Sequence, residues 1–291
     1  MVGMERHTRS YLQLIKPGIT LSNTMTAAAG SLLASSQFGF SWATFLGVLG
    51  GVALIIASAC VVNNMLDRDI DVRMKRTKGR EIAAGNIELP IAALYATVLG
   101  LLGLWALYVY TNQMTVFLGI ISYVWYVVIY SIAKRTTPLS TAIGAVCGAL
   151  PPMAGYVAVA GHIDMTAWAL FWVLMIWQLP HFYAIAIFRE NDYRLAGLPV
   201  WSVMLGAEST KAQILFWVVV FTFVIGLPTV MGATGFIYLA VMLLLSLYWL
   251  GQGIWYYRRE TTERWSKRMF GISLIVLLAF CAVISVGGFI A

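Results

Sequence analysis

Residues 42–71 read WATFLGVLGGVALIIASACVVNNMLDRDID. No charged residue occurs from Trp42 to Leu66, and an acidic and basic cluster follows at once from Asp67 to Asp71. A helix needs about 20 mostly apolar residues to cross the hydrocarbon core of a bilayer. This stretch therefore predicts a transmembrane helix that ends in a charged cluster at the membrane surface.

The same pattern recurs along the chain, in which 60% of the residues are hydrophobic and only 11% are charged. Long apolar runs alternate with short segments that hold nearly all the charge, as in a polytopic membrane protein rather than a soluble one. We therefore predict an all-α integral membrane protein with one membrane-embedded domain, residues 1–291. The nine predicted spans are 18–38, 42–66, 90–111, 114–133, 139–160, 165–188, 211–231, 234–257 and 269–290.

The first span is the least apolar, and its basic leader is also compatible with a signal peptide. Its apolar run is longer than a usual signal core and contains Ala27-Ala28-Ala29-Gly30, so we interpret it as a retained helix. The leader contains Glu5 and lacks the Arg and Ser richness of a transit peptide, which favours a bacterial inner membrane over an organelle.

Lys and Arg mark the cytoplasmic ends of membrane helices. With nine spans and a cytoplasmic N-terminus, all 19 Lys and Arg residues fall on the cytoplasmic side, beginning with Arg6 and Arg9, and the C-terminus lies outside. Of the acidic residues only Asp164 falls outside. Topogenesis and attraction to anionic lipid explain the net charge of +7, so the charge requires no nucleic-acid partner.

The two longest cytoplasmic loops, 67–89 and 189–210, follow the second and sixth spans, and each begins with a charged cluster. An aromatic-to-basic junction follows two spans later in each case, at 130–135 and at 256–259. We interpret this arrangement as two four-helix halves plus a ninth helix. Cys60, Cys147 and Cys281 are isolated within apolar spans and indicate packing rather than a disulfide or thiolate metal site.

Asn63, Asp67 and Asp71 lie at i, i+4 and i+8, on one face of a helix. Like carboxylates repel one another, so the pattern is typical of a hard-cation site, for which Mg²⁺ is the natural candidate. Mg²⁺ retains open positions for phosphate oxygens, which indicates a phosphate ester or diphosphate substrate. The alternative is that these aspartates only pair with nearby arginines in a solvated loop.

Two further features have a functional and an ordinary interpretation. Lys134 and Arg135 follow Tyr130 at a helix end, where such a pair is often only a topogenic anchor. His181 lies about two helical turns, roughly 11 Å, from the cytoplasmic end of an apolar span. An imidazole at that depth can ligate iron or carry a proton, or it can be a satisfied structural group beside Pro180.

The segment N-x-x-x-D-x-x-x-D after the second span resembles the first Asp-rich motif of the UbiA superfamily of intramembrane prenyltransferases. Residues 130–135 are similar to its Y-x-x-x-K pattern. The resemblance implies a helical bundle around a central cavity, Mg²⁺ as cofactor at Asn63, Asp67 and Asp71, and catalytic roles for these residues and Asp192. The implied diphosphate contacts are Arg68, Tyr130, Lys134, Arg135 and Arg189.

The second Asp-rich motif of that superfamily is incomplete here, because Ala196 stands four residues after Asp192. The segments Trp177-Gln178-Leu179-Pro180-His181 and 189–199 resemble the branch that farnesylates heme. That resemblance implies transfer of farnesyl from farnesyl diphosphate to a vinyl group of heme b, with His181 as a heme contact. It also implies membrane lipid as surroundings and hand-over of the product to a heme A synthase or terminal oxidase.

Two rival functions remain at this stage. Another UbiA-type enzyme, acting on an aromatic acid or quinone precursor, would share the Asp-rich site but has no need of the residues around His181. A divalent-cation transporter would bind its ion near the middle of the bilayer. The carboxylates of this chain gather instead at the cytoplasmic edge.

Overall fold

The computed structural model describes residues 10–289, and within them the chain is all α-helical, with no β-strand. Long helices account for most of the described residues, and we number the nine of them along the chain. They are α1 (Pro17–Phe38), α2 (Trp42–Leu66), α3 (Leu89–Tyr110), α4 (Gln113–Thr136), α5 (Ser140–Ala160), α6 (Met165–Phe188), α7 (Trp201–Val224), α8 (Phe236–Tyr256) and α9 (Thr262–Gly287). Short helices occupy Arg68–Asp71, Glu190–Leu195 and Leu227–Val230.

Eight of these helices, α2 to α9, are long and apolar enough to cross a membrane. The exception is α1, whose 22 residues include Thr20, Ser22, Asn23 and Thr24. The prediction of a multi-pass helical protein is confirmed, whereas the first predicted span, 18–38, is a helix that is not apolar enough to qualify as a membrane span by its composition. The predicted division into two four-helix halves stays a prediction.

Two helices begin earlier than predicted. Helix α7 begins at Trp201 rather than 211, and it is interrupted at Gly206, which adopts φ 83°. Helix α9 begins at Thr262 rather than 269, where the side chain of Thr261 accepts a hydrogen bond from the Arg264 amide. Charged residues fill the first turns of α9, so the helix extends beyond its apolar stretch.

A closed ring of helices positions the cavity. Helix α1 packs against α5, α5 against α6, α6 against α9, and α9 against α1. Helices α2 and α4 complete the wall, since both contribute lining residues. This arrangement confirms the expected bundle around a central space.

Helices α1 and α5 approach each other through glycines. A Cβ atom at Gly155 would lie 1.9 Å from the carbonyl oxygen of Ala27, and one at Gly30 would lie 2.0 Å from that of Pro152. Small residues at such positions allow backbones of membrane helices to pack closely. Because α1 also contributes four side chains to the cavity wall, this contact determines the width of the cavity.

We expect Gly155→Val to destabilise the folded protein by about 3 kcal/mol, the upper end of the cost of overpacking, since the obstructing atom belongs to the backbone. The measurement is the midpoint of thermal unfolding in detergent. Gly50→Val is the matched control, because a Cβ there meets nothing within 4 Å. Equal midpoints for the two variants would contradict the close contact.

Helix α4 changes its winding in its C-terminal half. Residues Trp125–Tyr130 form a π-helical turn before the α-helix resumes at Ser131. Such turns interrupt α-helices frequently at functional sites. This turn stacks the rings of Tyr126 and Tyr130, 5.6 Å apart, and both line the cavity.

Helix α5 contains Pro151 and Pro152, and Pro151 also lines the cavity. A proline leaves the carbonyl four residues earlier without its helical donor. For Pro151 that carbonyl belongs to Cys147, and the hydroxyl of Ser122 donates to it at 3.3 Å. The carbonyl that Pro151 leaves without a helical donor is therefore satisfied by α4 beside the cavity wall.

Candidate active site

Asn63, Asp67 and Asp71 share one helical face, although α2 ends before Asp67. The Asp67 amide donates to the Asn63 carbonyl at 2.9 Å, and the Asp71 amide donates to the Asp67 carbonyl at 2.8 Å. These are the i to i−4 bonds of an α-helix. All three side chains are buried and line the cavity.

Each of these three side chains has a cation of its own. The Lys16 ammonium donates to Asn63 Oδ1 at 2.6 Å, and Lys134 pairs with Asp67 Oδ2. Arg80 Nη1 donates to both oxygens of Asp71, at 2.9 and 2.8 Å. The cations come from the start of α1, the end of α4 and the loop between α2 and α3.

One oxygen of this cluster has no partner. Asp67 Oδ1 is buried without a hydrogen bond, and Arg135 Nη2 lies 3.8 Å away from it. A buried acceptor without a donor carries a desolvation cost. An anionic oxygen in this state, on the wall of a polar cavity, is suited to a divalent cation.

Among residues 10–289 no cluster of three or more His, Cys, Asp or Glu side chains is placed to hold a metal. The candidate ligands are thus two carboxylates and one amide. Mg²⁺ typically takes one or two carboxylates and completes its shell with water and substrate phosphate. The residues therefore fit a magnesium ion that shares a diphosphate, and not a metal held by protein ligands alone.

The cavity has a volume of about 640 Å³, within the range of ligand-binding pockets. It extends along α2 from Asp67 to Ile55, which at 1.5 Å per residue is about 18 Å. Its polar end carries five cations and its other end is apolar. The cations are Lys16, Arg76, Arg80, Lys134 and Arg189.

The predicted diphosphate contacts divide into two groups. Tyr130, Lys134 and Arg189 line the cavity. Arg68 is exposed and is not part of its wall. Arg135 also lies outside the wall, where it binds Asp69 at 2.7 and 2.8 Å and the Leu66 carbonyl.

Asp192 is not on the cavity wall either. Its Oδ1 accepts a hydrogen bond from the Lys75 amide at 3.1 Å and so joins the loop after α2 to the loop after α6. Four residues later Ala196 is buried in a small apolar cluster with Ile70 and Leu198. The hydrogen bond of Asp192 thus positions the first loop, and its catalytic role stays a prediction.

The exposed carboxylate of Asp69 and the half-buried ammonium of Lys16 have pKa values shifted by different causes. The hydrogen bond from Arg135 lowers the pKa of Asp69 to about 2, so this carboxylate is charged at neutral pH. Burial lowers the pKa of Lys16 to about 8, although Asp67 favours its charged form. An anionic ligand at the polar end of the cavity would favour the charged ammonium.

His181 lies on the apolar side of the cavity. Its ring stacks on Trp177, with centroids 4.8 Å apart, and is tilted against Phe270 at 4.9 Å. Its Nδ1 atom lies 2.7 Å from the hydroxyl oxygen of Ser273 on α9. The predicted depth in an apolar span is confirmed, and the ring has one polar partner.

The sequence did not distinguish several residues that reach the cavity. The sequence predicts only a topogenic role for Lys16, Arg76 and Arg80. Lys16 is the one non-glycine residue among those described with positive φ, 48°, and this backbone conformation precedes Pro17 at the start of α1. Cys60 and Cys147 are free thiols on the wall.

Residues 23–284 match the UbiA prenyltransferase family. Protoheme IX farnesyltransferase 2 of Pseudomonas putida (strain GB-1) is 39% identical over 279 residues, 96% of this chain and 94% of its own. The protoheme IX farnesyltransferase of Francisella tularensis subsp. holarctica is 40% identical over 275 residues, 94% of this chain and 98% of its own.

Solved structures share the fold at low sequence identity. A digeranylgeranylglyceryl phosphate synthase superposes with a TM-score of 0.79 at 18% identity, over 98% of this chain and 99% of its own. A UbiA homolog from Archaeoglobus fulgidus, bound to GPP and Mg²⁺, has a TM-score of 0.68 at 16% identity, over 95% and 99%. The helical bundle is therefore a known membrane architecture.

Proposed function

The chain belongs to the UbiA prenyltransferase family, and on that premise we propose that it transfers farnesyl from farnesyl diphosphate to a vinyl group of heme b. Water addition then gives the hydroxyethylfarnesyl side chain of heme O, with diphosphate as the other product. One observation carries the proposal: a single cavity joins the Asp-rich, cationic end to an aromatic end that contains His181.

The polar end is suited to the diphosphate. Lys134 and Arg80 lie close enough to Asp67 and Asp71 to contact a phosphate that shares a cation with these carboxylates. Bound Mg²⁺, held by Asn63, Asp67 and Asp71, would neutralise the charge that builds on the departing diphosphate. The cations on the wall stabilise the same charge, which favours cleavage of the allylic carbon–oxygen bond.

The remainder of the cavity is suited to the two apolar partners. Ile55, Ile56 and Leu174 line it together with the aromatic rings of Trp177 and Phe270. Apolar walls keep bulk water from the farnesyl cation until the vinyl carbon has attacked it. His181 supplies an imidazole nitrogen at this end of the cavity, and we propose that this side chain contacts the heme.

The predicted orientation completes the proposal. With nine crossings, each Lys and Arg of residues 10–289 is predicted to lie on the side of the membrane that carries the Asp-rich loop; Glu5, Arg6 and Arg9 lie outside the described residues. We assign that end to the cytoplasm of a bacterial inner membrane, with the C-terminus outside. Heme O would then be handed over to a heme A synthase or a terminal oxidase.

The test is to incubate the purified protein with heme b, farnesyl diphosphate and Mg²⁺ and to examine the porphyrins by mass spectrometry. We expect a hydroxyethylfarnesyl heme that does not form in EDTA. Unchanged heme, together with prenylation of an aromatic acid offered in parallel, would overturn the heme assignment in favour of the other UbiA chemistry.

A further inference from the structure

The hydrogen bonds around Ser273 determine which nitrogen of His181 carries the proton. The hydroxyl oxygen of Ser273 lies 2.6 Å from the carbonyl oxygen of Phe270. A carbonyl can only accept, so the single hydroxyl hydrogen is used in this bond. The same oxygen lies 2.7 Å from His181 Nδ1, and it must therefore accept there, which places the ring proton on Nδ1.

A neutral imidazole with its proton on Nδ1 carries its lone pair on Nε2. Within residues 10–289 no polar group makes a hydrogen bond to Nε2, and His181 lines the cavity. Nε2 is thus left as an electron-pair donor without a protein partner.

The orientation of the ring is fixed as well as its tautomer. Trp177 stacks on one side of the His181 ring, and Phe270 lies against it at 4.9 Å. The Trp177 indole nitrogen donates to the Ser273 backbone carbonyl at 3.0 Å. Ser273 therefore holds both the histidine and the aromatic ring that packs on it, the first through its side chain and the second through its backbone.

The bond to His181 is specific to this serine of α9. Ser266, seven residues earlier, is equally buried and also donates to the carbonyl three residues before it, that of Glu263, at 2.9 Å. No histidine of residues 10–289 makes a hydrogen bond to it. The two serines thus differ in the acceptor role that only Ser273 has.

We infer that Ser273 is a positioning residue that holds His181 as the Nδ1–H tautomer, so that Nε2 binds the iron of the heme acceptor. Metal-ligating histidines almost always donate the other ring N–H to an oxygen in this manner. The inference rests on the proposed function, because the heme is the acceptor in that reaction. It adds a second residue, on a different helix, to the heme end of the cavity.

The experiment titrates purified wild type, Ser273→Ala, Ser266→Ala and His181→Ala with ferric heme b, without farnesyl diphosphate. The heme Kd is taken from the Soret band, and the iron–histidine stretch of the reduced complex is measured by resonance Raman spectroscopy. For Ser273→Ala we expect Kd to rise about tenfold, the lower end of the effect of such outer partners, and the stretch to move to lower frequency. Ser266→Ala should match the wild type, and His181→Ala should lose the iron–histidine band.

A second variant and a second measurement distinguish loss of the Ser273 hydrogen bond from a folding defect. Ser273→Cys keeps the unbranched shape of the side chain but offers a weaker acceptor, and we expect a shift of the iron–histidine band in the same direction. Binding of farnesyl diphosphate with Mg²⁺ should be unchanged in all the serine variants, since Ser273 makes its hydrogen bonds to Trp177, His181 and Phe270 and none to the Asp-rich residues.

The failure of this inference is distinguishable from failure of the proposed function. If both serine-to-alanine variants give the wild-type stretch and Kd, or His181→Ala keeps the iron–histidine band, the inference is overturned while a wild type that forms hydroxyethylfarnesyl heme retains its function. If the wild type binds no heme and prenylates an aromatic acid instead, the proposed function fails and the inference with it.

Discussion

Asp67→Asn and Asp71→Asn are each expected to lower the rate of farnesyl transfer on the order of 10³-fold, the scale on which losing a group that stabilises developing charge slows an enzyme. Both side chains are buried on the cavity wall, and each substitution removes one negative charge from the candidate cation site while keeping the shape of the side chain. The measurement is the initial rate of hydroxyethylfarnesyl heme formation at saturating substrate.

Asp69→Asn is the matched control, because it removes the same charge from the same short helix. Asp69 is exposed and pairs with Arg135 outside the cavity. Its substitution should change the rate by no more than about twofold, as for a surface residue away from the site. An equal loss in all three variants would show that the charge of the loop matters and not the face that Asp67 and Asp71 share.

A titration with Mg²⁺ separates a metal ligand from a partner of Arg80. If Asp71 binds the cation, Asp71→Asn should require a higher Mg²⁺ concentration for half-maximal rate, and excess Mg²⁺ should restore part of the activity. If Asp71 only holds Arg80, the dependence on Mg²⁺ should stay that of the wild type. A wild-type rate in either asparagine variant would contradict the metal assignment outright.

The sequence predicted most of the fold because apolar runs between charged segments are a direct consequence of the bilayer. The starts of α7 and α9 could not be predicted in this way. The first turns of α9 carry Glu263, Lys267 and Arg268, so they are helical without being apolar. Helix α1 shows the opposite case, a helix that packs inside the bundle without being apolar enough to qualify as a span. Its polar face lines the cavity, and this face lowers its hydropathy.

The candidate site was predictable where regular spacing determines the geometry. Asn63, Asp67 and Asp71 share a face because one helical hydrogen-bond pattern runs through all three. The cations were not predictable, since a basic residue at a helix end is expected whether or not it turns inward. Arg80 reaches Asp71 only because the loop folds back over the end of α2, and Ser273 has no sequence signal that distinguishes it from Ser266.

Lys134→Met is expected to destabilise the protein most among the site variants. The side chains of Lys134 and Asp67 are both buried and form an ion pair. Removing one partner of a buried pair leaves an uncompensated charge, which costs about 3 to 5 kcal/mol. Arg135, 3.8 Å from Asp67, offsets part of this loss. We therefore expect a loss of about 3 kcal/mol in the free energy of unfolding, which is a fall of roughly 10 °C in the unfolding midpoint.

Lys267→Met provides the control for removal of a lysine charge. Lys267 pairs with Glu263 at 2.5 Å on an exposed surface of α9. Exposed pairs contribute about 0 to 1 kcal/mol, so this variant should unfold near the wild-type temperature. A similar fall in both variants would show that general charge loss, and not the buried pair, lowers stability.

The double variant Asp67→Asn, Lys134→Met separates the two roles of the pair. With both charges removed no ion is left buried without a partner, so the unfolding midpoint should return most of the way to that of the wild type. Farnesyl transfer should stay as low as in Asp67→Asn, because the carboxylate for the cation and the ammonium for the diphosphate are both absent. Recovery of stability without recovery of activity would mean that this pair is retained for catalysis, since two neutral side chains would stabilise the fold equally well. Recovery of both stability and activity would contradict the role of Asp67 in the reaction.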